Sequence, residues 1–275
     1  MTINCNGNLI DLSSPKVMGI LNVTPNSFYD GGKHNDEKSI LSQVEKMLDE
    51  GATFIDIGGY SSKPNAEFVS EKEELQRLIP IIQKIIYEFP NVILSVDTFR
   101  SKIAKEAIEN GAAIVNDISA GNIDDTMFQT IAELQVPYIM MHMKGTPQTM
   151  QTLSHYDNII KEMMFYFSEK VAKARSLGIN DILLDPGFGF AKTIQQNFEI
   201  LSNLELFQLM DIPILVGLSR KSMIYKTLDI NAEIALNGTT TLHTVSLLKG
   251  AKIVRVHDVK EAVECIKLLK NLTLL

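Results

Sequence analysis

The sequence predicts an α/β protein, a closed (β/α)8 TIM barrel with a short N-terminal hairpin, forming a single domain over residues 1–275. Three observations predict it. Eight short apolar runs begin near Val17, Phe54, Val92, Ile114, Tyr138, Ile182, Ile214 and Ile253. Their mean spacing, about 34 residues, is the length of one strand–helix unit. Helical periodicity fills the gaps between them. A helix ending in Gly runs directly into a strand at Gly51-Ala52, Gly111-Ala112, Gly178-Ile179 and Gly250-Ala251, the tight αβ connection of α/β units.

Each element follows from local pattern. Asn6-Gly7 before the first barrel strand is a strong two-residue hairpin signal. Helices are predicted over residues 38–50, 71–88, 101–110, 158–177, 195–209, 239–249 and 259–269, with a weaker one over 126–134. Two long stretches, 24–36 and 59–69, read as loops of the length used for lids or binding. An open doubly wound sheet is the competing architecture. No G-x-G-x-x-G follows the first strand, and no linker or composition break marks a second domain.

Composition narrows the functional class. Apolar residues make up 45% and charged residues 21%, within the globular range, which excludes a disordered chain. The net charge of −7 argues against non-specific nucleic-acid or anionic-membrane binding. No apolar run approaches a bilayer span. Met1 to Asn8 carries no basic or apolar leader pattern, and Cys5 and Cys265 have no metal or redox spacing. A cytoplasmic protein is therefore expected.

The strands are apolar along their length and polar at their C-terminal ends. They end in turn at Asn22, Gly58-Gly59 with Ser61, Ser62, Lys63 and Pro64, Asp97, Asn116-Asp117, His142, Asp185, Ser219-Arg220-Lys221 and Arg255-Val256-His257-Asp258. In a barrel these ends meet on one face, the face that carries catalysis. Two chemistries are present. Asn22, Ser62, Lys63, Arg255 and His257 are cations or donors suited to phosphate, and Asp258-Val259 reads as a helix start whose free N–H groups face an anion. Asp97, Asn116 and Asp185 suit a flat heterocycle with adjacent N–H and NH2 groups. For Asp97 and Asp117, capping of the next helix is the competing reading. For Lys221 it is an ordinary surface lysine.

The motifs together resemble the dihydropteroate synthases. Residues 19–32, Gly-Ile-Leu-Asn-Val-Thr-Pro-Asn-Ser-Phe-Tyr-Asp-Gly-Gly, are similar to the family's first signature. Asp56-Ile57-Gly58-Gly59 is similar to the second. Val96-Asp97-Thr98, Asn116-Asp117-Ile118-Ser119, Met141-His142-Met143-Lys144-Gly145-Thr146-Pro147, Asp185-Pro186-Gly187-Phe188-Gly189-Phe190, Ser219-Arg220-Lys221 and Arg255-Val256-His257-Asp258 continue the match in order. The resemblance implies a pterin-binding barrel that condenses 6-hydroxymethyl-7,8-dihydropterin diphosphate with 4-aminobenzoate in folate biosynthesis. It also implies Mg2+ and a homodimer.

By the same resemblance, Asp97, Asn116, Met140, Asp185, Phe190, Lys221 and Arg255 hold the pterin, with Asp97, Asp185 and Lys221 catalytic. Asn22, Ser62, Lys63, Arg255 and His257 hold the diphosphate. Asn22 and Asp30 meet the metal. Phe28, Pro64, Ser219 and Lys221 contact 4-aminobenzoate. Three residues depart from the family pattern. Tyr60 stands for an acid, Lys63 for an Arg with its bidentate fork, and Asn26 for a common Asp. Two other readings share the pterin residues: a methyltetrahydrofolate methyltransferase, and a non-catalytic pterin-binding protein. The first does not need the diphosphate cations; the second would lose Asn22, Lys221 or Arg255. All are present.

Overall fold

The computed structural model describes residues 1–23, 33–60 and 69–272. Strands β1 (Thr2–Cys5) and β2 (Asn8–Asp11) pair antiparallel across a tight turn. Asn6 and Gly7 both take positive φ there, 51° and 85°, as a two-residue hairpin turn requires. Eight parallel strands then close into a barrel: β3 (Lys16–Asn22), β4 (Phe54–Gly58), β5 (Leu94–Asp97), β6 (Ile114–Asp117), β7 (Tyr138–Met141), β8 (Ile182–Asp185), β9 (Ile214–Val216) and β10 (Ala251–Val256). Each pairs with its neighbour in sequence, and β10 closes on β3. The open-sheet alternative is thereby excluded.

Helices α1 (Lys33–Asp49), α2 (Glu71–Glu88), α3 (Ser101–Glu109), α4 (Met127–Leu134), α5 (Ile159–Ser176), α6 (Ile194–Ser202), α7 (Ser222–Tyr225), α8 (Leu236–Leu248) and α9 (Val259–Lys270) connect the strands. Local chemistry starts several of them. Ser70 caps α2, Asn158 caps α5, and Thr193 forms a reciprocal capping box with Gln196 at α6. Some boundaries differ from the sequence reading. Helix α1 begins at Lys33, so residues 33–36 are helix and not loop. β5 begins at Leu94, not Val92. The single helix expected over 195–209 is α6 followed by a 3-10 turn at Leu204–Met210. Helix α8 starts earlier, at Leu236. No helix among the described residues is long and apolar enough to cross a membrane.

Strand alternation sorts every residue into one of two faces. Val17, Ile55, Ile57, Val96, Val115, Tyr138, Met140 and Leu184 face outward into the main core with the helices. Met18, Phe54, Ile114, Ile139, Leu183, Leu215 and Ile253 face inward and fill the lower barrel. Ile3, Cys5 and Leu12 from the hairpin segment belong to this same cluster. Asn4 N donates to Asp181 Oδ2 (2.9 Å), and Asn6 Nδ2 reaches the carbonyl of Ala112 (3.4 Å). The hairpin therefore closes the N-terminal end of the barrel with an apolar floor.

Candidate active site

Two residues above that floor, the inward positions change character. The register that points Phe54, Ile114, Leu183 and Ile253 into the lower barrel brings Asp56, Asn116, Asp185 and Arg255 to the same side one step higher. Ser95 and Asp97 share this parity on β5. Asp56, Asn116 and Asp185 are buried.

Arg255 links the ring. Its Nε donates to Asp56 Oδ2 (2.6 Å), and its Nη2 donates to Asp97 Oδ2 (2.8 Å). Asn116 Nδ2 also donates to Asp56 Oδ2 (3.0 Å). The other Asp56 oxygen, Oδ1, is buried and accepts no hydrogen bond from the described residues. Asp185 turns inward and accepts from Gly187 N (2.7 Å). Lys221 leaves the start of α7 and donates to the Phe188 carbonyl, with its ammonium 4.4 Å from the Phe190 ring centroid. At the rim, Ser219 Oγ lies 2.9 Å from His257 Nδ1. Asn22 is exposed at the end of β3.

Burial sets the protonation behaviour of this group. Desolvation lifts Asp97 to about 7; Arg255 opposes the rise and Asp56 adds to it. Desolvation also raises Asp185, opposed by the Gly187 N–H, Lys221, Arg255 and Lys192. Lys221 is brought down to about 8 by desolvation, against the pull of Asp185. For Arg255, desolvation acts downward, but Asp56 and Asp97 outweigh it and hold the guanidinium charged. Three carboxylates, Asp56, Asp97 and Asp185, thus gather with Arg255 and Lys221, and Lys192 lies beside them.

The structure resolves the competing readings of single residues. Asp97 caps nothing: helix α3 has Arg100 at its cap without a side-chain bond, and Asp97 is committed to Arg255. Asp117 faces outward. It accepts from Ser119 N, Ser119 Oγ and Gly121 N (each 2.7 Å) and from Tyr138 Oη (2.6 Å), so it anchors the turn after β6. Lys221 is partly buried, bonded to the Phe188 carbonyl and set over the Phe190 ring, and is not an ordinary surface lysine. Asp258 does start α9, but its carboxylate grips Arg220 (2.9 and 2.7 Å) and does not cap. Arg220 is therefore a clasp between the loop after β9 and the start of α9, and not a cation of the mouth. His142, at the end of β7, is buried and held neutral near 2 by desolvation.

Met140 requires a correction. It lies with Tyr138 in the outward core and is fully buried there, so it does not line the chamber. The inward position on β7 belongs to Met141, which pairs in register with Asp185 and clusters with Phe190. Phe28, Asp30, Ser62, Lys63 and Pro64 lie outside the described residues.

Three residues went without a role in the sequence reading. Asp56 is the hub between Arg255 and Asn116, and its signal was an ionisable group mid-strand in an apolar run. Lys192 carries no sequence signal beyond following the Gly-rich turn. Tyr60, the departure from the family acid, accepts a hydrogen bond from Gln148 Nε2 (2.8 Å) and meets Phe99 edge-on at 5.3 Å. It ties the end of β4 to the loop after β7.

A separate open cleft of about 1590 Å³ lies against α5 and is lined by Lys144, Glu162, Tyr166 and Lys170, with none of the ring carboxylates. No cluster of three His, Cys, Asp or Glu side chains able to hold a metal occurs among the described residues. Asn22 alone of the expected metal residues is described. Its amide oxygen is a hard donor of the kind Mg2+ takes, usually few per site and shared with substrate phosphates.

Comparison with known proteins adds to this geometry. A family profile described as pterin binding enzyme matches residues 18–257. The chain is 42% identical over 272 residues to dihydropteroate synthase of Escherichia coli (strain K12), covering 98% of this chain and 96% of that one. Its fold superposes on a Yersinia pestis dihydropteroate synthase in a sulfonamide drug complex, with a TM-score of 0.92, 39% identity and 99% of each chain covered. It is similar also to a Xanthomonas albilineans dihydropteroate synthase with 4-aminobenzoic acid, with a TM-score of 0.91, 34% identity, and 99% and 98% coverage.

Proposed function

Since the chain belongs to the dihydropteroate synthases of the pterin binding enzyme family, we propose that the chamber at the C-terminal ends of its strands holds the pterin and steers its substitution. The reaction is a group transfer. 4-Aminobenzoate displaces diphosphate from 6-hydroxymethyl-7,8-dihydropterin diphosphate, giving 7,8-dihydropteroate. The observation that carries the residue assignment is the cluster of buried Asp56, Asn116 and Asp185 and partly buried Asp97 about Arg255.

In this reading Asp185 and Asn116 take the hydrogen-bonding edge of the pterin, and Met141, Phe190 and Lys221 form its wall. The nucleophile, an arylamine, is already neutral at pH 7 and needs little base. The bond that breaks joins a methylene carbon to the diphosphate oxygen, which leaves with the electron pair. Positive charge that develops on that carbon spreads into the dihydropterin ring. The carboxylates of Asp97 and Asp185 then face a growing cation, and fixed charge aimed at developing charge is a large catalytic term. The amine nitrogen forms the new bond and releases its proton.

Arg255 and His257, with Asn22, Ser62 and Lys63, receive the diphosphate. Phe28, Pro64, Ser219 and Lys221 hold 4-aminobenzoate. Mg2+, held by Asn22 and Asp30, would neutralise phosphate charge when bound. The stretches 24–36 and 59–69, read as loops from the sequence, are proposed to exclude water that would trap the cation. Both cysteines are free and buried, which supports a reducing cytoplasm. A homodimer is proposed on the resemblance to the family.

The test is direct. Purified protein is incubated with the dihydropterin diphosphate, Mg2+ and labelled 4-aminobenzoate. Label appearing in 7,8-dihydropteroate, with equal diphosphate release, is expected. Pterin binding without product would leave a non-catalytic binder, and methyl transfer from methyltetrahydrofolate would replace the reading altogether.

A further inference from the structure

One ammonium beside the chamber has no assigned part in the reaction. Lys192 lies between the loop after β8 and Thr193, the cap of α6. Its Nζ donates to the carbonyls of His142 (3.1 Å), Gly187 (3.0 Å) and Phe190 (2.9 Å). Those acceptors come from two separate segments. His142 follows β7, while Gly187 and Phe190 belong to the loop after β8.

The convergence depends on an unusually close backbone approach. Gly187 has φ of +68°, and a Cβ built there would stand 2.2 Å from the His142 carbonyl oxygen. Three carbonyl dipoles aimed at one point repel one another unless a cation sits at their focus. The same loop is held elsewhere by Lys221 on the Phe188 carbonyl and by Asn197 on Gly189 N (2.7 Å). It also carries Phe190, and its first residues fix Asp185 through Gly187 N.

We propose that Lys192 is a positioning residue for pterin binding: its charge clips the loop after β8 to the end of β7, sets Phe190 and Asp185 for the ring, and adds to the positive field at Asp185. The proposal rests on reading Asp185 and Phe190 as pterin residues. Two consequences follow from removing the charge. The wall loses its three-point tie. Asp185, already raised by burial, loses one of the cations that oppose the rise.

Lys192 is itself brought down to about 7 by desolvation. The charged groups facing it are Asp185, which favours its charge, and Lys221 and Lys144, which oppose it. The His142 ring, held neutral by burial, lies near it. The positive charge is thus present in mildly acidic solution and lost as pH rises through about 7.

The test compares the wild-type protein with Lys192→Met and Lys192→Arg. Binding of the dihydropterin diphosphate is measured by calorimetry from about pH 6 to 9, and KM is measured for each substrate. Lys192→Met is expected to weaken pterin binding about 10- to 100-fold at the acidic end, the loss of one to two charge-assisted hydrogen bonds. KM for 4-aminobenzoate should stay within about threefold. Lys192→Arg should restore most of the affinity. An alkaline decline of affinity is expected to begin near 7 in the wild type and to move in Lys192→Met toward the range of Lys221 near 8. Equal losses for both substrates, unchanged pterin affinity, or an unmoved alkaline limb would overturn the proposal. Should Lys192→Met not fold, Lys192→Arg decides: Asp97 titrates near 7 in both proteins, so the permanent charge must hold pterin affinity above that of the wild type at about pH 8, and equal affinities there overturn the proposal. A wild-type protein that binds no pterin overturns the site reading as well, whereas wild-type binding matched by Lys192→Met overturns only the role of Lys192.

Discussion

Replacing Asp97 with Asn is expected to make the protein more stable and the enzyme slower. Asp97 ends β5 inside the barrel with 18% of its side chain exposed. Burial is the main cause that lifts its carboxyl from 3.8 to about 7, with Arg255 opposing and Asp56 adding. One pKa unit is about 1.4 kcal/mol of preference between protonation states. A rise of roughly three units sets a ceiling on the order of 4 kcal/mol on what ionised Asp97 removes from stability.

The sign follows from the direction of the shift. The unfolded chain releases this proton near 3.8, the folded protein only near 7. The penalty is therefore absent at pH below 3.8, grows as pH rises, and is complete above about 7. An Asn side chain never ionises, and its amide oxygen still accepts from Arg255. Arg255 loses a charged partner in exchange, so the expected gain is about 1–2 kcal/mol at alkaline pH, or about 2–6 °C in Tm for a chain of this size. Thermal unfolding of both proteins, followed by circular dichroism from about pH 5 to 8.5, reads the difference. The gap should widen with pH, while kcat/KM falls at least about tenfold. A variant less stable than the wild type above pH 7, or a gap indifferent to pH, would refute the burial account.

Other outcomes are open to measurement. Lys221→Met should lower kcat/KM about 100- to 1000-fold, the usual loss of one strong electrostatic contact; a change under about threefold removes Lys221 from the site. Asp117→Ala should destabilise the fold by at least about 3 kcal/mol in urea titration, because four donors lose one buried acceptor, and a loss under about 1 kcal/mol would contradict its anchoring role. Gly187→Ala should reduce pterin affinity more than about tenfold and lower Tm, because the new methyl meets the His142 carbonyl. Retained affinity would mean that the loop tolerates rearrangement.

Much of this was legible in the sequence, and the gaps have physical causes. The barrel strands announced themselves because a parallel strand buried on both faces is a short apolar run. The same property hid the facing of Met140. Ile139-Met140-Met141 has no polar alternation, and only register against Asp185 tells which side is inward. The helix expected over 195–209 merged two elements because Leu201, Leu204 and Phe207 keep threefold spacing, which an α-helix and a 3-10 turn share. The helix expected over 239–249 begins earlier because Gly238 packs inside α8, where a side chain would strike Ile224 and Leu228. Asp97, Asn116, Asp185 and Arg255 were found by their place at strand ends. Asp56 and Lys192 act through partners 60 and 50 residues away, such as Asn116 and His142, and no local pattern records those distances.

The apolar floor under the chamber bears on the order of events in turnover. A barrel closed at its lower end by Ile3, Cys5 and Leu12 is not entered from that side. On the proposed site reading, the pterin beside Asp185 must arrive before 4-aminobenzoate docks at the rim near Ser219 and His257. The order of arrival is then imposed by plumbing, independent of how tightly either berth binds.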